Sequence, residues 1–232
     1  RLHRGFSIVV KTTEDISELS TSNISSSPPV PSSFILAKMP YRGRLGNELF
    51  LLASTYGIAR RHNRRVLLQK DFQIFKYFNI TSATTWSGDI PKWPTRKEKD
   101  SNVFDPSLNR FVKNHTESVI IHGYLQSFKY FQEYSDHIIH RDLKFKSQYQ
   151  DPIDEYFRGI KSRFKDEQNL TFIGVHIRRG DMLTKNSQNV GYKPASKTYL
   201  DHAVAYYQAL LRVPLVFIVV TDSYEWAYDN FN

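Results

Sequence analysis

The sequence predicts an α/β fold with parallel sheets, divided between two domains of Rossmann type. Two segments carry this prediction, residues 34–69 and residues 171–220. In each of them an apolar strand is followed by a helical segment and then by a second apolar strand, which is the pattern of a β-α-β unit. The strands of the second segment are apolar on both faces and have few partners, so we expect the second domain to be truncated.

The composition is that of a folded protein, since 40% of the 232 residues are hydrophobic and 14% are aromatic. The formal net charge of +9 suits nucleic acid, a nucleotide sugar or an anionic membrane surface. The basic residues are dispersed along the chain, which argues against nucleic acid as the partner. The chain has no cysteine, which excludes disulfide bonds and thiolate metal sites.

The first 33 residues are predicted to be a disordered stem or linker, because a segment rich in Ser, Thr and Pro ends there in SSSPPVPSS. No stretch approaches the roughly twenty apolar residues of a membrane span. Four sequons for N-glycosylation favour the secretory pathway, since chance would give about two at this composition, and chance matches are the alternative. They lie at Asn23, Asn79, Asn114 and Asn169.

The first domain is predicted to span residues 34–150 and opens on a short apolar strand. The sequence YRGRLGNELFLLASTYGIARR then turns sharply into a buried helix. Gly43 and Gly46 permit a tight bend close to a ligand, and Asn47 is expected to cap the helix. A strand over residues 65–69 completes the β-α-β unit, with the glycine turn where such units bind phosphate. Taken alone, G-R-L-G-N is also typical of an ordinary tight turn.

The middle of the chain has fewer clear elements. Residues 72–78 are aromatic and expected to be helical, whereas residues 82–105 are expected to be mostly loop. A β-branched strand over residues 118–121 ends at HGYLQS, and residues 128–139 follow as an amphipathic helix. His122 is a candidate to line a cleft, and a histidine satisfied within the core is the alternative.

The second domain is predicted to span residues 151–232, entered through a charged amphipathic helix over residues 154–164. Its first strand, residues 171–177, is followed by a long polar segment over residues 182–196 that we expect to be a mobile loop. Residues 199–211 show helical spacing and lead to the second strand.

The strongest candidate site is the sequence H-I-R-R-G-D at the end of the strand over residues 171–177. The carboxyl ends of parallel strands form the edge at which open α/β sheets bind ligands. Arg178 and Arg179 suit a diphosphate there, because each planar guanidinium can hold two phosphate oxygens. His176 is expected to face this site or the interior. The alternative is a solvated strand end in which Asp181 pairs with the arginines.

The strand over residues 215–220 ends at Thr221 and Asp222, which we expect at the same edge as Arg178. A carboxylate there can accept hydrogen bonds from a ribose hydroxyl or a guanine edge. The sequence contains no D-x-D, G-x-S-x-G, H-E-x-x-H or Walker A motif, and Glu98 and Asp100 lie in a predicted charged loop. A clamp of arginines is then the remaining way to neutralise a departing diphosphate.

Four segments together resemble the α1,2-fucosyltransferases of glycosyltransferase family eleven: GRLGNELFLLASTYGIA, IHGYLQSFKYF, IGVHIRRGDM and VFIVVTDSYEW. H-x-R-R-x-D is also similar to a motif of α1,6- and protein O-fucosyltransferases, so it indicates GDP-fucose more firmly than linkage. The resemblance implies a GT-B-like arrangement with GDP-fucose in the cleft between two domains. It also implies a metal-independent, inverting transfer of fucose to the 2-hydroxyl of a terminal galactose of a glycan, without any cofactor.

The same resemblance implies roles for individual residues. Arg178 would bind the β-phosphate and stabilise its charge as the glycosyl bond breaks. Asp181 is the nearest candidate for the general base, and its role as a partner of Arg178 or Arg179 is the alternative. Arg179 would hold the turn in shape and contribute to substrate binding. The other residues expected to bind substrate are Arg44, Gly46, Asn47, His176, Thr221 and Asp222.

The resemblance implies a location in the Golgi lumen, as a single-pass type II membrane protein whose anchor would precede Arg1. The family carries a further C-terminal segment with a Trp-rich motif that this chain lacks. We therefore expect a fragment or a truncated gene product. An inactive fragment, or a non-catalytic scaffold of the same fold that binds glycan or nucleotide, is the alternative to an active transferase.

Overall fold

A computed structural model describes residues 33–41, 43–164 and 170–231. Nearly all of the predicted stem lies outside these residues. The described residues form two compact units, one up to Asp154 and the other from Glu155 onward. The first unit contains a five-stranded sheet and the second a two-stranded sheet, and the strands within each sheet pair in parallel. The predicted α/β class with parallel sheets is thus the observed one.

The first unit contains five strands and four helices, and a fifth helix begins in it. They are β1 (Phe34–Lys38), α1 (Leu45–Arg61), β2 (Arg65–Gln69), α2 (Ile74–Tyr77), β3 (Ala83–Trp86), β4 (Thr95–Lys97), α3 (Pro106–Lys113), β5 (Val119–His122), α4 (Ser135–His137) and α5 (Ser147–Arg163).

The strand order of this sheet is β3-β2-β1-β5-β4. Alternation along the strands sends Ile35 and Ala37 of β1 to the face that α1 covers, while Leu36 lies in a smaller cluster on the other face. Helix α1 is buried without interruption from Leu51 to Ala59, as its nearly continuous apolar sequence predicts. The core of this unit therefore lies between α1 and the sheet.

One prediction for the middle of the chain is confirmed and another is wrong. Residues 82–105 are mostly loop, as predicted, but they contain two short strands: β3 pairs with β2 at one edge of the sheet, and β4 pairs with β5 at the other. Residues 128–139 are not one helix but two 3₁₀ turns, the short α4 and the start of a π-helical turn. The carbonyl of Tyr130 accepts a hydrogen bond from the Arg61 guanidinium at 2.6 Å, and the N–H of Tyr134 bonds to Phe131 instead. In an α-helix that carbonyl would accept the N–H of residue 134, whereas here the carbonyl is bonded by Arg61 of α1 and the N–H makes a 3₁₀ hydrogen bond.

The second unit contains β6 (Thr171–Ile177), α6 (Lys185–Asn189), α7 (Lys197–Leu211), β7 (Leu215–Thr221) and α8 (Tyr224–Asn230), after the end of α5. The two strands pair along their full length. The segment predicted as a mobile loop holds a 3₁₀ turn and α6. Burial is sparse: Leu200 is the one residue of α7 that is buried, and Val220 of β7 is exposed. The prediction that both strands are buried is therefore only partly correct.

Between the sheet of the second unit and α7 lies a cavity of about 220 Å³, lined mainly by apolar side chains such as Ile173, Leu200 and Phe217. Within the ranges that the structure describes, no helix combines the length and the apolar character that crossing a membrane requires.

Candidate active site

The turn after β6 is fixed by a carboxylate from the end of β7. Because Ile177 and Thr221 are paired, Asp222 leaves the sheet beside the turn. Its Oδ1 accepts the backbone N–H of Arg179 at 2.7 Å, and its Oδ2 accepts that of Gly180 at 3.1 Å. These two hydrogen bonds lower the pKa of Asp222, since they favour the charged form. The carboxylate predicted to contact a nucleoside thus also orders the backbone of the turn.

Arg178 is the first residue beyond β6, and it pairs with Asp181. Its Nε donates to Asp181 Oδ1 at 2.8 Å, and a second guanidinium nitrogen donates to Oδ2. This fork raises the pKa of Arg178, first through the hydrogen bonds and then through the charge of Asp181. The side chains are 41% and 38% exposed, so the pair is open to a ligand from solvent. The guanidinium is held in one orientation with donors to spare.

Asp181 has both carboxylate oxygens engaged by Arg178. This is the arrangement described by the alternative reading from the sequence, in which Asp181 is the ionic partner of an arginine. A role as general base would require the pair to open, and it stays a prediction.

Arg179 contacts two other segments of the second unit. Its guanidinium carbon lies 3.7 Å from the centre of the Trp226 ring on α8 and a guanidinium nitrogen donates to the carbonyl of Ala195 at 3.2 Å. A planar cation stacked on an indole is a favourable pair. Arg179 therefore ties the turn to the segment before α7 and to α8, while substrate binding by this residue stays a prediction.

His176 is exposed, between half-buried Val175 and buried Ile177. The expectation that it could point to the interior is wrong, because a two-stranded sheet leaves this position in contact with solvent; its role in nucleoside binding stays a prediction. Thr221, at the end of β7, accepts the backbone N–H of Ser223 at 2.9 Å and so shapes the entry to α8.

In the first unit, the turn after β1 and the turn after β5 leave the sheet at the same edge, because these strands are parallel neighbours. Arg44, not Asn47, is the N-cap of α1, and no side chain caps the helix. The prediction that Asn47 caps α1 is therefore wrong. Its Oδ1 instead accepts a hydrogen bond from Gln126 Nε2 at 2.8 Å. The amide of Asn47 therefore joins the start of α1 to the turn after β5.

The two glycines of this turn differ. A Cβ on Gly43 would lie 2.7 Å from the Cβ of Asn47 and 2.8 Å from the sulfur of Met39, whereas one on Gly46 would meet nothing within 4 Å. Gly43 is therefore required by close packing. Gly46 and Arg44 are exposed and leave this part of the edge open.

His122 ends β5 and is half-buried. Burial lowers its pKa, and the neighbouring cations Lys38 and Lys97 lower it further. Both lysines are its partners in the strand register, so three basic residues form a row across the carboxyl edge of the sheet.

Glu98 is the residue that sequence reasoning missed. It was expected in a charged loop, yet it directly follows β4 and is only 5% exposed. Its carboxylate accepts the N–H of Leu125 at 2.9 Å and the hydroxyl of Tyr130 at 3.2 Å. The local sequence K-E-K-D gives no signal for burial. Glu98 is buried because the pairing of β4 with β5 places it inside the first unit.

Of the four sequons, Asn79 and Asn114 lie at exposed positions. Asn23 and Asn169 lie outside the described residues. Glycosylation at all four stays a prediction.

Two curated fucosyltransferases are similar to this chain in sequence. A galactoside alpha-(1,2)-fucosyltransferase 2 from Sus scrofa is 24% identical over 192 residues, which are 82% of this chain and 54% of that protein. A galactoside alpha-(1,2)-fucosyltransferase 1 from Leontocebus fuscicollis is 24% identical over 206 residues, which are 82% of this chain and 51% of that protein. The chain thus spans about half the length of the curated relatives it matches.

Among solved structures, the selenomethionine form of the fucosyltransferase NodZ from Bradyrhizobium is similar, with a TM-score of 0.52 over 85% of this chain and 74% of that one at 15% identity. NodZ alpha-1,6-fucosyltransferase co-crystallized with GDP has a TM-score of 0.50 over the same shares at 17% identity. This likeness shows the fold, and it confirms the predicted GT-B-like class.

The family resemblance is confirmed independently of these pairwise identities. The model described as Glycosyl transferase family 11 matches residues 41–232. That range contains the glycine turn, the H-x-R-R-x-D segment and β6, the strand at whose end this segment lies. The chain belongs to glycosyl transferase family 11.

Proposed function

We propose that this chain carries the donor-binding part of a galactoside α1,2-fucosyltransferase. The reaction is the inverting transfer of fucose from GDP-fucose to the 2-hydroxyl of a terminal galactose of a glycan. Family membership and the names of the curated relatives support the activity and the linkage. A similar fold crystallized with GDP supports the nucleotide.

The observation that carries this proposal is the preorganised guanidinium of Arg178 at the carboxyl end of β6. Breaking the glycosyl bond leaves negative charge on the diphosphate, and cations already fixed at the leaving group stabilise that charge without reorganisation. Two N–H groups of Arg178 go to Asp181, so the remaining donors of the fork are those that bind phosphate oxygens. Asp222 fixes the backbone from which this side chain extends.

The proposed transfer is independent of metal, because arginine supplies the positive charge that Mg²⁺ supplies to diphosphates elsewhere. We place the full-length protein in the Golgi lumen, as a type II membrane protein with an anchor upstream of this chain. The exposed sequons at Asn79 and Asn114 agree with that location.

The test is calorimetric titration of GDP in EDTA. Wild-type chain should bind, and Arg178→Ala should weaken binding at least about tenfold, because a charge-assisted pair with phosphate is lost. Arg158→Ala, which removes an exposed arginine of α5, is the matched control and should bind like wild type. Equal affinities for the two variants would contradict the proposal.

Activity needs a separate measurement. Transfer of fucose to lactose by the full-length gene product should give a 2-fucosylated product, and binding of GDP without any product would favour a scaffold. Binding of nucleic acid that weakens steeply with salt and is unchanged by Arg178→Ala would favour a basic nucleic-acid-binding protein instead.

A further inference from the structure

The turn that follows β5, with the sequence GYLQ at residues 123–126, has an unusual backbone. Leu125 has a φ of +53°, in the left-handed region that residues other than glycine, asparagine and aspartate rarely adopt. Its side chain is fully buried. A residue persists in such a conformation only when its surroundings determine it.

Glu98 is the group that determines it. The carboxylate accepts the N–H of Leu125 at 2.9 Å. The hydroxyl of Tyr130 donates to it at 3.2 Å. A Cβ on Gly123 would lie 2.5 Å from Glu98 Oε2, so the turn folds directly around the carboxylate.

The outer side of the same turn is fixed as well. The hydroxyl of Ser54 on α1 donates to the carbonyl of Leu125 at 2.7 Å, and the N–H of Gln126 donates to the carbonyl of Ser101 at 3.0 Å. The backbone of Gln126 is therefore held on both sides. Its side chain then donates to Asn47 Oδ1 at 2.8 Å.

This last bond orients the amide of Asn47. Asn47 donates through Nδ2, and because Oδ1 is turned toward Gln126, the same bond fixes the position from which Nδ2 can donate to a ligand. A donor next to the glycine turn suits an oxygen of a phosphate or of a sugar hydroxyl. The orientation of Asn47 thus depends on a chain of contacts that begins at a buried carboxylate remote in sequence.

We propose that Glu98 and Gln126 are positioning residues for donor binding: Glu98 shapes the turn at residues 123–126, and Gln126 orients Asn47 so that its Nδ2 donates to the nucleotide sugar. This rests on the proposed function, because it assigns Asn47 to the GDP-fucose site. Glu98 itself does not act as the general base, since it is buried and both of its oxygens accept hydrogen bonds from the protein.

The first experiment is a double-mutant cycle on GDP affinity with Gln126→Ala, Asn47→Ala and the double variant. We expect each single variant to lower GDP affinity by about three- to tenfold. The affinity of the double variant should be no lower than that of the single variant that binds less tightly. Gln132→Ala, which removes an exposed glutamine from the neighbouring 3₁₀ turn, is the control and should bind like wild type. Additive losses, or wild-type affinity in Gln126→Ala, would overturn the proposal.

The second experiment reads the turn without any ligand. Amide hydrogen exchange at Leu125 should be slow in wild type, accelerate at least about tenfold in Glu98→Ala, and stay slow in Gln126→Ala. Glu98→Gln keeps an acceptor for this N–H and should retain both slow exchange and GDP binding. Unchanged exchange in Glu98→Ala would show that the carboxylate does not hold the turn.

These two readouts separate the proposal from the function on which it rests. If wild-type chain fails to bind GDP, the proposed function fails, while exchange at Leu125 still reports whether Glu98 shapes the turn. If Arg178→Ala weakens binding and Asn47→Ala does not, the function stands and the positioning role is refuted.

Discussion

In both units of this protein, a side-chain carboxylate fixes the turn that follows a strand. In each sheet, a carboxylate that follows one strand accepts backbone N–H groups from the turn after the neighbouring parallel strand. In the first unit Glu98, after β4, holds Leu125 beyond β5. In the second unit Asp222, after β7, holds Arg179 and Gly180 beyond β6.

The two carboxylates differ in their electrostatics. Burial raises the pKa of Glu98 even though hydrogen bonds from Leu125 and Tyr130 oppose the shift. Asp222 is exposed, and hydrogen bonds from Arg179 and Gly180 lower its pKa. Similar hydrogen bonds therefore give opposite shifts, because removing a charge from water costs more free energy than a few hydrogen bonds return.

The surrounding fold explains this difference. Glu98 is buried against Gly123, Leu125 and Tyr130 beside a five-stranded sheet, whereas Asp222 follows a strand of a two-stranded sheet and is exposed. The first turn is therefore packed around a buried carboxylate, whereas the second turn is in contact with solvent.

The largest effect should come from breaking the packing of α1 against the backbone of Tyr130, whose hydroxyl bonds to Glu98. Gly57→Ala would place a Cβ 2.1 Å from the carbonyl of Tyr130 and 2.8 Å from the Cα of Phe131. Helix α1 would have to move away from this backbone, and we expect a loss of at least about 3 kcal/mol in the free energy of unfolding. Urea unfolding, monitored by hydrogen exchange of peptides from β5, would measure this loss of stability.

The matched control for that substitution is Gly159→Ala in α5. A Cβ there meets nothing within 4 Å, so the better helix propensity of alanine should stabilise the chain by about 0.5–1 kcal/mol. Similar losses for both glycine variants would show that crowding at α1 is not the cause.

An intermediate effect should follow from Glu98→Ala. The N–H of Leu125 and the hydroxyl of Tyr130 would lose their buried acceptor, and each unsatisfied group costs about 1–3 kcal/mol. We expect the free energy of unfolding of the first unit to fall by about 2–4 kcal/mol, measured as above. Glu98→Gln should lose markedly less, and an equal loss would show that charge, not hydrogen bonding, holds the turn.

The smallest and sharpest test is the dependence of stability on pH. The raised pKa of Glu98 means that the folded state holds the proton at pH values where the unfolded chain has released it. Stability of the first unit should therefore fall as pH rises from the ordinary pKa of glutamate to that raised pKa, and Glu98→Gln should remove this slope.

The lowered pKa of Asp222 has the opposite consequence. Its contribution is fully present above the ordinary pKa of aspartate and is lost as pH falls through its lowered pKa. Thermal unfolding from pH 3 to pH 7, in wild type, Glu98→Gln and Asp222→Asn, would measure both slopes. Slopes of the same sign would contradict the comparison between the two units.

Sequence patterns predicted the elements whose signal is local. The apolar strands β1, β2, β5, β6 and β7, the helix α1 and the α/β class are all visible in hydrophobic periodicity and length. The position of Arg178 at the end of a strand follows in the same way, because an apolar run stops at that residue. The four segments that resemble the family also suffice to indicate it.

The tertiary structure decided what depends on contacts between distant residues. Glu98 and Leu125, which are joined by a hydrogen bond, are 27 positions apart in the sequence. Arg61 and Tyr130, whose carbonyl accepts from the Arg61 guanidinium, are 69 positions apart. Asn47, predicted from the sequence to cap a helix, is instead a partner of Gln126, 79 positions away, for the same reason. Periodicity reports only which face a residue prefers, whereas the burial of a charge and the orientation of an amide are fixed by the partners that folding brings beside them.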